Sequence, residues 1–192
     1  PEIVATTALP VTTTDIVIDG TTQEGGWVAV RVGAAVGLQA DDGTLEVRGL
    51  ALSAEDTAVG LAGGSAHVLE GNRFGTDASG TTSRGQQSYS VAVAADDVTI
   101  EGNVIAGAAG VGTTGAGTRI VGNAIGVTEA GAVLGTTAVA VLALGSSVHV
   151  EDNVVVGVVA VSGADATGAT ITGNHVGVTR SGATIDAPHS AI

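Results

Sequence analysis

Short runs in which apolar and polar residues alternate recur along this chain, and most of the runs end at a glycine. Residues 98–101, for example, read Val-Thr-Ile-Glu and are followed by Gly102. Alternation with a period of two predicts a strand that turns one face to a core and the other to solvent. Valine and threonine, which favour strands, dominate these runs, and glycine interrupts the chain too often for long helices. The pattern therefore predicts strands joined by turns.

One motif, centred on an asparagine, recurs five times. The copies are LEGNRFG at 69–75, IEGNVIAG at 100–107, IVGNAIG at 120–126, VEDNVVVG at 150–157 and ITGNHVG at 171–177. Their asparagines are Asn72, Asn103, Asn123, Asn153 and Asn174, at spacings of 31, 20, 30 and 21 residues. Two weaker copies at 17–22 and 47–52 place Thr21 and Leu50 in the asparagine position, with spacings of 29 and 22 residues. A long unit and a short unit therefore alternate.

Repeats of this length, each with two or three short strands, are typical of a parallel β-helix, in which every coil stacks on the one before. We predict an all-β, single-stranded β-solenoid of about seven to eight coils, with short coils of about 21 residues alternating with long coils of about 30. Residues 1–192 form one such domain, which we expect to be a fragment or module of a longer rod. Like residues should stack inside it in three columns: Val47, Leu69, Ile100, Ile120, Val150 and Ile171; Phe74, Ile105 and Ile125; and Leu45, His67 and Val98.

The asparagine column is predicted to be structural. An asparagine amide both donates and accepts hydrogen bonds, and asparagine tolerates the left-handed backbone region of tight turns. The glycine before most of these asparagines fits a sharp bend, although Asp152 replaces it in one coil. The long coils carry extra loops at 74–80, 125–131 and 176–182, which we expect to protrude. Because the carboxylate of Asp77 is not repeated in the other two loops, they indicate turns and no calcium site.

Three segments resemble the repeats of secreted and surface-attached bacterial proteins with a right-handed parallel β-helix of the pectin-lyase-like kind. They are VIDGTTQEGG at 17–26, GNRFGTDASGT at 71–81 and GNAIGVTEAG at 122–131, and the chain departs from the family at Glu24, where the family has proline. The resemblance implies a right-handed helix and a location outside the cell or at its surface. It implies a scaffold and no particular activity, because such repeats mostly serve as scaffolds in large multidomain proteins.

Charge and composition narrow the range of partners. The chain has 19 acidic residues against six basic ones, all arginine, and its formal charge of −13 disfavours nucleic acid and anionic membranes. No cysteine is present, so neither disulfides nor thiolate metal sites are expected. The longest apolar stretch, Val154–Val161, is far shorter than the roughly 18 residues that a membrane-spanning helix needs.

Carbohydrate chemistry is the main alternative, since related β-helices act on acidic polysaccharides as lyases, epimerases or hydrolases. Such chemistry needs carboxylates that converge on one face. An outward column two residues before the asparagines contains a weak candidate binding stripe, Glu70, Glu101 and Glu151, among Asp19, Arg48, Val121 and Thr172. Outward glutamates on a solenoid are usually solvated. The chain also has only three aromatic residues to stack on a sugar: Trp27, Phe74 and Tyr89.

The histidines do not predict a metal site. His67 falls in an inward column, His149 and His175 lie on adjacent coils but should face different sides, and His189 is near the C-terminus. The acidic pairs at 41–42 and 96–97 precede strands and are interpreted as turn residues. We predict no catalytic residue, no metal and no cofactor.

These patterns favour a non-catalytic extracellular structural or interaction module: a surface scaffold, an adhesin-like stalk or a self-associating rod. The alternative is a carbohydrate-active enzyme or a polysaccharide-binding module. The ends of a solenoid expose strand edges, and we expect aliphatic residues such as Ile16, Ile18 and Ile185 to line them. End-to-end self-association or continuation into further coils is therefore predicted, while the net charge keeps the side walls of two copies apart.

Overall fold

The chain folds into short parallel strands that stack in three sheets. The computed structural model describes residues 2–24, 26–85, 88–135 and 138–186, and within these ranges it contains 21 strands and no helix. Sheet A consists of β1 (Glu2–Ala5), β3 (Val28–Val32), β6 (Leu50–Ser53), β9 (Arg73–Phe74), β12 (Val104–Ile105), β15 (Ala124–Ile125), β18 (Val154–Val155) and β21 (His175–Val176). Sheet B consists of β4 (Val36–Ala40), β7 (Thr57–Leu61), β10 (Tyr89–Val93), β13 (Ala109–Thr113), β16 (Val139–Ala143) and β19 (Val158–Val161). Sheet C consists of β2 (Ile16–Asp19), β5 (Leu45–Arg48), β8 (Val68–Glu70), β11 (Thr99–Glu101), β14 (Arg119–Val121), β17 (His149–Glu151) and β20 (Thr170–Thr172).

The chain runs through sheets C, A and B in turn, and each strand pairs in parallel with the equivalent strands of neighbouring coils. In sheet C, β11 pairs with both β8 and β14, so that Ile100 lies between Leu69 and Ile120. Pairing of successive coils in this way makes a parallel β-helix, which confirms the predicted fold. The alternation of coil lengths is confirmed as well, because hydrogen-bonded asparagines on successive coils are 31, 20, 30 and 21 residues apart.

Columns of aliphatic side chains fill the inside of the helix. In sheet C the predicted column is fully buried at Val47, Leu69, Ile100, Ile120 and Val150. Sheet A contributes a buried column of Phe74, Ile105, Ile125 and Val155, and sheet B one of Val59, Val91, Val111 and Val141. Each of these side chains contributes about 1.5–3 kcal/mol on burial. Branched side chains stacked at the strand spacing fill the narrow interior, so one phenylalanine is sufficient there.

His67 lies in the third inward column, where its ring is completely buried. Its Nδ1 accepts a hydrogen bond from the Leu45 N–H at 2.8 Å, and its Nε2 lies 2.9 Å from the Gly63 carbonyl oxygen. Because Nδ1 is an acceptor, the ring proton is on Nε2, which donates to Gly63. His67 is therefore a neutral core histidine with both nitrogens satisfied, as the inward column predicted.

The extra loops of three long coils form small hairpins. Each is closed by an antiparallel bridge, Thr76 to Ser83, Val127 to Val133 and Val178 to Thr184. We expected these loops to protrude, and that expectation is incomplete: the hairpins fold back over the outer face of sheet A. They bury a second apolar cluster that consists of Val104, Ala106, Ala124, Val127, Leu134, Val154, Val156 and Ile185. The backbone that lengthens these coils thus covers a sheet face that would otherwise expose valine and alanine.

Two expectations about the ends have different outcomes. Ile185 does not line an open end, because its side chain is only 6% exposed and belongs to the cluster under the hairpins. Ile16 and Ile18 lie on β2, which pairs with β5 on one side, and both are partly buried against the main core. None of the described residues forms a helix that is long and apolar enough to span a membrane.

Candidate functional site

The corner between sheets C and A carries a continuous ladder of asparagine amides. The Oδ1 of Asn103 accepts from the backbone N–H of Asn72 at 2.8 Å and from its Nδ2 at 3.1 Å. The same two bonds, at 2.8–3.0 Å, join Asn103 to Asn123, Asn123 to Asn153, and Asn153 to Asn174. The ladder places side-chain amides where backbone groups of the corner would otherwise be unpaired.

Each amide also reaches the coil before it. The second Nδ2 hydrogen donates to a carbonyl oxygen of sheet C at 2.7–2.9 Å, and the five acceptors are Val47, Leu69, Ile100, Ile120 and Val150. Leu50 holds the asparagine position one coil earlier, and its N–H donates to the Oδ1 of Asn72 at 3.0 Å. Each of the first four amides therefore links three successive coils and is at most 1% exposed, whereas Asn174 bonds to the coil before it and to its own.

The left-handed residue of this corner is the one before each asparagine. Gly49, Gly71, Gly102, Gly122 and Gly173 have φ between 60° and 68°. Asp152 holds the same position with φ of 54°. The bend thus has a positive φ in each of these six coils, and it tolerates an aspartate at some cost in backbone strain. The left-handed tolerance of asparagine itself is not used, since none of the five has a positive φ.

The outward column beside this corner has the register predicted from the repeats. Its members stack in the order Asp19, Arg48, Glu70, Glu101, Val121, Glu151 and Thr172. The structure therefore brings Glu70 and Glu101 to adjacent coils and separates Glu151 from them by Val121. All three glutamates lie on the outer face of sheet C, where water reaches their side chains.

Arginines neutralise part of this column. The Nε of Arg48 donates to Glu70 at 2.8 Å, and its guanidinium also contacts Glu46. The hydrogen bond to Glu70 raises the pKa of Arg48 above its usual value. Arg119 lies 3.5 Å from Glu151. Among the described residues, Glu101 has no ion pair, so two members of the candidate stripe are paired with arginine and one is solvated.

The histidines are far from forming a cluster. His149 is on β17 in sheet C and lies 2.8 Å from the Thr170 hydroxyl, whereas His175 is on β21 in sheet A. His189 lies outside the described residues. Within the described parts of the chain, no group of three or more His, Asp or Glu side chains is placed to hold a metal ion.

An eight-residue loop gives this corner a second feature that the repeats did not predict. Residues 20–27 join β2 to β3, while the single residue Gly49 makes the equivalent connection between β5 and β6. The loop accounts for the length of the first long coil, which has none of the extra loops identified at 74–80, 125–131 and 176–182. It places Trp27 beside a groove of about 290 Å³ that is lined by Gly20, Gly49 and Gly71 of successive coils and by Thr21, Gln23 and Gly26.

Arg73 packs against the indole of Trp27. Its guanidinium carbon is 3.8 Å from the ring centroid, a cation–π contact, and its NH1 group donates to the Ala78 carbonyl oxygen of the hairpin. Burial lowers the pKa of Arg73 from its usual value. Sequence reasoning missed this contact, because Trp27 and Arg73 are 46 positions apart in the numbering and lie in different coils. The extra length between Asp19 and Val28 was the one signal for it.

A larger cleft of about 830 Å³ lies near the corner between sheets A and B. Arg31, Glu55, Asp77 and Arg84 line it together with small and hydroxyl residues. Its charges are mixed and partly satisfied, since Arg84 pairs with Glu2 at 3.4 Å. Comparison of the chain with models of protein families, with curated proteins and with solved structures found no match. The geometry of the asparagine ladder, the outward column and the Trp27 groove therefore carries the functional conclusions.

Proposed function

We propose that this chain is a non-catalytic structural module, a stiff β-helical spacer that holds other parts of a protein or assembly apart at or outside the cell surface. The observation that carries the proposal is the unbroken amide ladder from Asn72 to Asn174. A ladder that satisfies every coil in the same way stabilises a repeating shape. The asparagines, which are the most regularly repeated polar residues of the chain, therefore serve the structure.

The distribution of variation around each coil supports the same function. Inward positions keep branched aliphatic residues from coil to coil, whereas the outward column of sheet C changes from acid to base to valine to threonine. A binding or catalytic stripe would hold similar groups in register. The location is proposed from the resemblance of segments 17–26, 71–81 and 122–131 to secreted and surface-attached repeat proteins.

The stiffness can be tested with two spin labels, because the chain contains no cysteine of its own. Val17 and Thr170 are the first and last members of one outward column in the seven strands of sheet C. Six intervals at the strand spacing place their backbones about 29 Å apart. In the double variant V17C/T170C we expect a single narrow distance distribution by electron double resonance. A broad or multimodal distribution would contradict a stiff spacer.

A carbohydrate-active enzyme is the competing function, and a product assay separates the two. The protein is incubated with pectin, alginate and glycosaminoglycans, with and without calcium, and unsaturated or shortened products are measured. We expect none. Turnover that Glu101→Gln abolishes, while the variant keeps the unfolding midpoint of the wild type, would overturn the proposal and assign chemistry to the outward column.

A further inference from the structure

The groove beside Trp27 has the dimensions and the lining of a small ligand site. It is lined by Gly20, Gly49 and Gly71 of three successive coils and by Trp27. Gly71 has φ of 60° and no atom within 4 Å of the position that a Cβ would occupy, so the groove is open above it. A flat aromatic ring beside a glycine backbone that is open at Gly71 can take a flat apolar ligand face.

The indole is held in place from within the fold. The guanidinium of Arg73 stacks on it at 3.8 Å and is anchored to the Ala78 carbonyl oxygen. The Nε of Arg73 is buried without a hydrogen-bond partner, which costs free energy. This placement of Arg73 is therefore explained by its contact with Trp27 better than by its own hydrogen bonds. A side chain fixed in advance loses little conformational entropy when a ligand binds.

The lining of the groove offers no ionic partner to a charged ligand. None of the described residues that line it is charged. The arginines beside it are already engaged, Arg48 by Glu70 and Arg73 by the indole of Trp27. The Thr21 hydroxyl donates to the Asp19 carboxylate at 2.6 Å, which leaves the hydroxyl oxygen as an acceptor at the rim. Gln23 adds an amide. A ligand that fits has one apolar face for the indole, several hydroxyl groups and no negative charge.

We propose that the Trp27 groove binds a neutral saccharide, with one pyranose ring stacked on the indole and its hydroxyls directed to Thr21 and Gln23. The proposal goes beyond the spacer function, since a stiff rod carries such a site without turnover. It also differs from an acidic polysaccharide site, because none of the described lining residues carries a positive charge to pair with a uronate.

Trp27 is the only tryptophan of the chain, so its fluorescence reports on this groove alone. The full chain is titrated with cellohexaose, chitohexaose, mannohexaose and hexagalacturonate, and binding is measured by fluorescence and by calorimetry. We expect at least one neutral hexasaccharide to shift the emission with micromolar to millimolar affinity, and hexagalacturonate to bind at least about tenfold more weakly. Absence of any shift or heat at 10 mM of every neutral sugar, or equal binding of hexagalacturonate, would overturn the proposal.

Two glycine variants separate groove filling from backbone strain. Gly71→Ala and Gly102→Ala both place a Cβ at a left-handed residue of the same corner, with φ of 60° and 64° and open space around it, but only Gly71 lines this groove. We expect Gly71→Ala to weaken saccharide binding by about tenfold or more and Gly102→Ala to leave it unchanged. Equal effects of the two variants would contradict the site.

Two aromatic variants give a calorimetric check. Trp27→Ala should abolish binding, and Tyr89→Ala, an aromatic substitution on sheet B, should not. Binding that survives Trp27→Ala would overturn the assignment. Failure of this proposal leaves the spacer function standing, because that function is tested by label distances and by the absence of products.

Discussion

At the scale of single residues, the asparagines of the corner are not interchangeable with other polar residues. From Asn103 onward each Oδ1 accepts two hydrogen bonds from the coil before it, and each Nδ2 donates to two different coils. A carboxylate has no hydrogen to donate, and a glutamine would carry its amide one carbon further out. The repeated choice of asparagine therefore follows from one geometry of donor and acceptor that the five coils from Asn72 to Asn174 share.

Replacement of Asn103 by alanine should destabilise the protein markedly. It leaves the Asn72 N–H without a partner inside a buried corner and removes the side-chain hydrogen bond to the Leu69 carbonyl oxygen. Orphaned buried groups cost about 1–3 kcal/mol, which is the loss expected in the free energy of unfolding from urea titrations. Asn174→Ala is the matched control, because Asn174 is partly exposed and water replaces its bonds. Equal losses at the two positions would mean that the ladder is not what stabilises the corner.

The Asp77 carboxylate makes one hairpin sensitive to pH. Burial opposes its ionisation, but hydrogen bonds from the Ser79 hydroxyl and from the backbone of Thr82 and Thr81 outweigh this and hold the pKa of Asp77 below its usual value of 3.8. A lowered pKa in the folded state means that the stabilisation is complete above about pH 4 and is lost as the pH falls through the folded value.

We therefore expect Asp77→Asn to lower the free energy of unfolding at pH 6 and to have a smaller effect at pH 2.5. Unfolding in urea at the two pH values checks this, with Asp56→Asn as a control, because the Asp56 carboxylate accepts no hydrogen bond from the described residues. A loss that is the same at both pH values would contradict the role of the ionised carboxylate.

At the scale of elements, the hairpins of the long coils form a second layer over the outer face of sheet A. Without them the outer face of sheet A would expose Val104, Ala124 and Val154, which are 2–8% exposed in the structure. The hairpins bury these residues with Val127, Leu134 and Ile185 of their own. Lengthening every second coil is therefore sufficient to cover several coils, since each hairpin spans more than one strand spacing.

Two adjacent hairpin residues test this second layer. Leu134 is 3% exposed, whereas Val133 is 37% exposed. Leu134→Ala should lower the free energy of unfolding by about 2–4 kcal/mol, because it opens a cavity under the hairpin. Val133→Ala should change it by less than about 0.5 kcal/mol. Similar small effects of both substitutions, measured by thermal unfolding, would show that the hairpin contributes little to stability.

At the scale of the whole molecule, the three walls of the rod differ in character. Sheet A is covered by hairpins, and sheet C carries the charged outward column. The outward-facing residues of sheet B carry no charge at five positions of one column, all partly buried: Gln39, Ala92, Gly112, Leu142 and Ala160. The charges behind the net −13 are therefore unevenly distributed over the surface. Charge repulsion between the sides of two copies is expected at sheet C more than at sheet B.

Association through a strand edge remains a prediction of the fold. The N–H groups of Ile16 and Gly20 donate inward to Thr44 and Arg48, each at 2.8 Å, so by the alternation of a parallel ladder the N–H of Val17 points to the open edge of β2. Val17→Pro removes that donor without breaking a bond inside the protein. A lysine at Ile185, by contrast, would disrupt the cluster under the hairpins.

Sedimentation at rising protein and salt concentration measures the association. We expect the wild type to form larger species as salt screens the net charge, and Val17→Pro to remain smaller at the same concentrations. Val17→Thr, which keeps the N–H, is the control. Wild-type protein that stays monomeric at high salt, or a proline variant that associates as strongly, would remove this edge from consideration.

The sequence alone determined the repeating parts of this protein. Period-two alternation around Ile100 and the recurrence of asparagine predicted the strands, the order of the coils, the inward columns and the register of Glu70 with Glu101. These features follow from the chain without further information because each coil pairs only with its neighbours, so that residues in contact occupy equivalent positions in successive copies.

Only the tertiary structure decided the features that occur once or that join different walls. The return of the hairpins onto sheet A, the burial of Ile185 and the stacking of Arg73 on Trp27 join residues at unequal positions in their coils. The repeat period does not predict such contacts. They depend on the direction of the side chains and on the path of the loops. The loop at 20–27 was not predicted, although the first coil has the length of a long coil. The length of a coil gives the number of extra residues but not the corner at which they lie.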